Sequence, residues 1–156
     1  MEYAACDSKR ESPRSEHALK SHPQPKSAPI DVHSADTAAK VLPVFFRICE
    51  AWGLSSTEQQ TLLGVGKSTL ALWRAGKVKA GLDRTVLERL SYVFGIYSAL
   101  QILLPIPERA DAWIRRANSA PLFGGASALQ RMLGGQVADL LAVHAYLNAQ
   151  RGGDFA

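Results

Sequence analysis

The sequence predicts an all-α fold, and three observations lead to it. Apolar residues recur at three- and four-residue steps through most of the chain beyond Ala38. No stretch alternates with a period of two for long enough to make a strand, and glycines and prolines cut the helical pattern into segments.

The first segment stands apart. Residues 1–35 hold four of the eight prolines (Pro13, Pro23, Pro25, Pro29) among Ser, Lys, His and Glu. Their apolar side chains are too few to offset the entropy of ordering, so a disordered tail is expected. Three of the four histidines (His17, His22, His33) fall here without ligand spacing, and no metal site is expected.

Helical periodicity then takes over. Leu42, Phe45, Cys49 and Trp52 share one face, and Gly53 ends the run. Pro43 is easiest to place if the main helix starts near it. Ser55 opens a second helix with Glu58 in capping-box position and Leu62 and Leu63 on the buried side, and Gly64 closes it. Only Val65 and Gly66 separate it from a third helix, Lys67 to Arg74, with Leu70 and Trp73 on one face. A basic connector, Lys77 to Leu82, leads to a long helix from about Asp83. Its predicted stripe is Leu87, Leu90, Phe94, Tyr97, Leu100 and Leu104, broken by Pro105 and Pro107. A short helix Glu108 to Arg116, an irregular stretch Asn118 to Gly125, a short helix Ser127 to Leu133 and a last helix Val137 to Gln150 follow.

Composition narrows the function classes. A chain of 156 residues, 47% of them hydrophobic, can hold one domain or two small helical ones. The net charge of +4 is unevenly spread: residues 37–110 carry 9 basic and 5 acidic side chains, while residues 1–36 carry 5 and 6. A polyanion would therefore be met in the middle third. Two cysteines, Cys6 in the polar tail and Cys49 on an apolar face, make no disulfide framework. With no secretion signal and no membrane-length apolar run, a reducing cytoplasm is expected.

Two short helices joined by a tight glycine-containing turn, with longer helices on either side, form a helix-turn-helix layout. Lys67, Ser68 and Thr69 sit at the leading end of the second short helix, where base edges would be read. Arg74, Lys77 and Lys79 suit phosphate contacts. From Gly64 to Arg84 there are 5 basic residues against 1 acidic one. A plain helical bundle with a basic surface is the alternative.

Catalytic constellations are missing from the sequence pattern. His144 lacks partners for a Ser-His-Asp or metal arrangement. Gly64-Val65-Gly66-Lys67-Ser68 lacks both the preceding strand and the spacing of a phosphate loop. A non-enzyme that needs no cofactor is expected.

Leu62 to Trp73, Glu88 to Leu100, and Ala112 to Gly125 with Ala128 to Leu133 resemble the Xre/MbcA/ParS antitoxin family, over about Lys40 to Gly153. The Trp, Asn, Pro-Leu-Phe-Gly-Gly and helix pattern of the C-terminal third is its most specific part. The resemblance implies a partner, a RES-domain toxin that consumes NAD, which the C-terminal region binds and occludes. It also implies that the helix-turn-helix binds the operon's own operator DNA, as a homodimer or within a larger toxin complex. Asn118, Pro121, Leu122, Phe123, Gly124 and Gly125 match the family's irregular loop, and Arg131 and Met132 lie in the helix after it. The family usually has Ser where Gly66 stands and Pro where Ala117 stands. Independently of family, Leu122 and Phe123 between Pro121 and two glycines can close on their own core or offer an apolar edge to a partner. The closing stretch Arg151 to Ala156 is expected to reach into the toxin's cleft. A free-standing regulator whose C-terminal part dimerises or senses a ligand is the competing reading. The domain division expected is 1–35, 36–104 and 105–156.

Overall fold

The computed structural model describes residues 31–153. Most of the expected tail, with Cys6, His17 and His22, lies outside the described residues, as do Asp154, Phe155 and Ala156. The described residues form seven helices and no strand: α1 (Ala35–Ala51), α2 (Ser56–Leu63), α3 (Lys67–Arg74), α4 (Arg84–Leu103), α5 (Pro107–Trp113), α6 (Ala128–Met132) and α7 (Val137–Gly152). The all-α expectation holds, and one antiparallel bridge, Ala117 to Ser127, pins the base of the irregular loop.

Helix α1 corrects the expected start near Pro43. It begins two turns earlier, where the Ser34 hydroxyl accepts the Thr37 N–H at 3.1 Å. Pro43 therefore sits mid-helix, and its ring leaves the Ala39 carbonyl without an intrahelical donor. Both residues are exposed, so solvent can take that carbonyl. Residues 31–34, counted with the tail on composition, lead directly into this cap. They pack so closely on the connector after α3 that a Cβ built on Gly81 would stand 1.4 Å from the His33 carbonyl oxygen. Only glycine fits there.

The α2 to α3 turn forms as its residues dictate. Ser55 and Glu58 make the reciprocal capping box, and Gly64 ends α2 in the left-handed region at φ 70°. Gly66 stands at the N-cap of α3 and supplies no side-chain acceptor.

Helix α4 is the spine. Its fully buried positions are Val86, Arg89, Leu90, Val93, Ile96, Ala99 and Leu100, rather than the predicted stripe through Leu87, Phe94 and Tyr97. Those three are half-buried, and Phe94 and Tyr97 line a groove with Val44, Arg47 and Ile48 of α1. The helix is apolar on nearly every side, so more than one stripe satisfied a 3.6-residue period. Its partner on the other flank decided which one is innermost. That partner is α7, and the two form the most extensive helix pairing among the described residues. The two run in the same direction, with Gly135 against Arg89, His144 against Gly95, and Leu147 and Gln150 beside Leu100 and Leu103. Gly95 permits the approach, since a Cβ there would stand 2.4 Å from His144 Nε2. One continuous core results, running from Ala38 to Leu147.

Candidate nucleic-acid and partner-binding surfaces

Helix α3 lies at the edge of the fold, anchored by its inner face. Leu70 is buried and Trp73 half-buried, while Lys67, Ser68, Ala71, Leu72 and Ala75 are exposed. Thr69 is half-buried. Lys77 and Lys79 project from the connector that Gly81 holds against His33. None of the ion pairs among the described residues involves Lys67, Lys77 or Lys79. Arg74, grouped with them on sequence, is engaged elsewhere. Its guanidinium donates to Gln59 Oε1 and lies 5.0 Å from the centroid of the Phe46 ring. It ties α3 to α2 and α1, which orients the helix rather than its surface.

The C-terminal module builds its loop from local hydrogen bonds. Asn118 accepts the Ala120 N–H on Oδ1 at 2.9 Å, and its backbone pairs with Ala126 and Gly125. This Asx turn curls the chain so that Gly124 and Gly125 take positive φ. Phe123 turns inward, edge-on to Trp113 and Tyr146 at centroid distances of 6.0 and 5.1 Å. Phe123 and Met132 are buried and hold the loop and α6 in place. What faces outward is Pro121, Gly124, Gly125 and Arg131, with Leu122 half-buried at the rim. Arg131 pairs with Asp139 at 3.4 Å, and Arg151, at the end of α7, reaches Asn148 Oδ1 at 3.4 Å.

Sequence reasoning missed three features. Helix α7 exposes Ala138, Leu141, Ala145 and Ala149 along one line, with Leu141 46% accessible. The signal was an apolar pattern on both faces of that helix. Arg89 is only 8% exposed, and it broke an otherwise apolar stripe in α4. Arg115 donates to the carbonyls of Trp52 and Gly53 at 3.0 and 2.7 Å and pairs with Glu58 at 3.3 Å. A C-terminal side chain thus locks the turn that opens the helix-turn-helix.

That lock leaves a titration signature. Burial disfavours the Glu58 carboxylate, but hydrogen bonds from Ser55 and Arg115 outweigh it and hold its pKa below the ordinary value. A depressed carboxylate pKa contributes stability above the unfolded range near about 4.3, and that stability is lost as pH falls through the folded value. Glu58→Gln keeps an acceptor at the cap but removes the charge. The variant is expected to be less stable by roughly 0.5–1 kcal/mol near neutral pH, with the gap closing towards about pH 3. Urea titrations of both proteins across that range check it. A gap that stays constant with pH would refute it.

Cys49 offers no chemistry at this surface. Burial pushes its thiol up to about 12, with the nearby positive charge of Arg74 opposing that shift only in part. Among the described residues no group of His, Cys, Asp or Glu could hold a metal ion, and no helix is long and apolar enough to cross a membrane.

Comparison with known proteins gives two family matches along the chain. Residues 31–95 match the antitoxin Xre-like helix-turn-helix domain. Residues 99–153 match the antitoxin Xre/MbcA/ParS C-terminal toxin-binding domain. The two matches meet inside α4. The chain is also 50% identical over 113 residues to the uncharacterized protein y4oB of Sinorhizobium fredii (strain NBRC 101917 / NGR234), covering 72% of this chain and 84% of that protein.

Proposed function

Because the chain belongs to the Xre/MbcA/ParS antitoxin family, we propose that it neutralises an NAD-consuming RES-domain toxin by covering its active-site cleft, and represses its own operon through α3. On this reading it is a cytoplasmic, non-enzymatic regulator. One observation carries it: a toxin-binding module and a helix-turn-helix whose Lys67, Lys77 and Lys79 stand outside the ion pairs of the described residues share a single helix, α4.

The toxin-facing surface is the rim of the Asn118–Gly125 loop, chiefly Pro121, Leu122, Gly124 and Gly125, with Arg131, Arg151 and the exposed line of α7 around Leu141. Phe123 and Met132 act from beneath by fixing that surface. The operator-facing surface is Lys67, Ser68 and Thr69 at the leading end of α3, with Lys77 and Lys79 on phosphates. Arg74 positions the helix. A homodimer, free or within the toxin complex, would present two copies of α3 to the two half-sites of an operator.

Co-expression with the product of the neighbouring gene tests the toxin half. Growth and cellular NAD are expected to recover with the parent chain. They should fall again with Leu122→Asp or Leu141→Asp, each of which places a charge on a surface that must be desolvated. Unchanged rescue by both variants, or no rescue by the parent, would refute this assignment. Gel shifts on the upstream region test the other half. Lys77→Ala with Lys79→Ala should weaken binding across sequences and flatten its salt dependence.

A further inference from the structure

The outer face of α3 is unusual for a helix that reads DNA. Its exposed positions past Lys67 are Ser68, Ala71, Leu72, Arg74 and Ala75. The Arg74 guanidinium is held on Gln59 and Phe46, and the other four carry one hydroxyl and no charge. Leu72 is 49% accessible on a helix whose other leucine, Leu70, is 2% accessible. It is the large apolar side chain that the helix leaves to solvent. Lys67, Lys77 and Lys79 flank this face, exposed and outside the ion pairs of the described residues, so the field around an apolar strip is positive. That charge selects a polyanion as the occupant, and the strip then selects within it. Among the base edges in the major groove, the thymine 5-methyl is the apolar group, and short or aliphatic side chains are what meet it.

The geometry points to a thymine-reading role for α3: Leu72, with Ala71 beside it, packs on one or two thymine methyl groups of the operator half-site, while Ser68 and Lys67 supply the polar contacts. This rests on the reading of α3 as the DNA-contacting helix. Specificity then comes from apolar burial as well as from paired hydrogen bonds. Losing one methyl removes roughly a fourfold factor in affinity, the size of one buried methyl group.

The test uses the full chain and a random duplex library bound at low salt. The best selected duplex is then rebuilt with deoxyuridine in place of thymidine, one position at a time, which removes the methyl and leaves the pairing intact. One or two positions are expected to weaken binding about fourfold each. In Leu72→Ala the parent duplex should bind correspondingly more weakly, and uracil at those positions should make no further difference. Leu72 is exposed, so that variant retains its core. Lys77→Ala should weaken both duplexes alike. If uracil is tolerated everywhere, or if its penalty persists in Leu72→Ala, the thymine assignment is overturned while DNA binding stands. If no duplex is enriched either by the chain alone or by its co-expressed complex with the neighbouring gene product, α3 is not a DNA-reading helix and the thymine assignment falls with it.

Discussion

Phe123→Ala is expected to destabilise the protein by about 3–5 kcal/mol, the usual cost of removing a buried aromatic ring. The ring sits edge-on to both Trp113 and Tyr146, and so joins the irregular loop to α5 and α7 at once. In a protein of this size the melting midpoint should drop on the order of 10 °C. Toxin neutralisation should weaken more than DNA binding, because the loss is centred on the loop. Phe123→Leu, which keeps most of the volume, should recover a large part of both. Thermal unfolding of the three proteins decides it. A loss below about 1 kcal/mol for the alanine variant would show that the ring does not hold the loop.

The second large effect is expected at Arg89. Its guanidinium donates to the carbonyls of Thr61 and Leu62 at 3.3 and 3.2 Å and to that of Gly135 at 2.7 Å. The first two belong to the last turn of α2, whose carbonyls lack intrahelical donors and carry the negative end of the helix dipole. The third belongs to the loop before α7. No carboxylate pairs with this buried cation in the described residues; backbone oxygens alone receive it. Arg89→Met matches the apolar stem but leaves one buried and two part-buried carbonyls without this donor, at an expected cost of about 2–4 kcal/mol. Arg89→Lys should restore less than half, since an ammonium cannot fork towards α2 and α7 together. Urea unfolding measures the loss. Faster amide exchange at the end of α2, and not in α1, would localise it.

The architecture was legible wherever local chemistry decides the outcome. Ser55 with Glu58, Asp83 before α4, and Gly64 between α2 and α3 are signals confined to a few adjacent residues, and each stands where it was expected. Positions whose role is set by distant packing were not legible. Pro43 argued for a helix start, yet the Ser34 cap and the close packing of His33 on Gly81 carry α1 back to Ala35. The buried side of α4 could not be read because α7 chooses it. For the same reason Arg74 reads as a phosphate contact and nothing local marks Arg89 or Arg115, although each bonds to residues at least 15 positions away. A guanidinium carries no mark in the sequence that separates a phosphate contact from a structural clasp. Exposure misled in the other direction at Leu72 and Leu141, where a leucine on a helix reads as core.

The shared helix has a consequence for how such proteins diversify. An antitoxin that must follow a drifting toxin would gain from exchanging its C-terminal half with a relative by recombination. Here the two halves have no seam, since the family matches meet within α4 and that helix packs on α1 and α2 as well as on α7. A crossover inside α4 would set one parent's Gly95 against the other parent's residue at His144, where space for a single methyl group is missing. On the proposed toxin-facing surface, new specificity is therefore more accessible through point changes on the loop rim and the outer line of α7 than through the shuffling of whole modules.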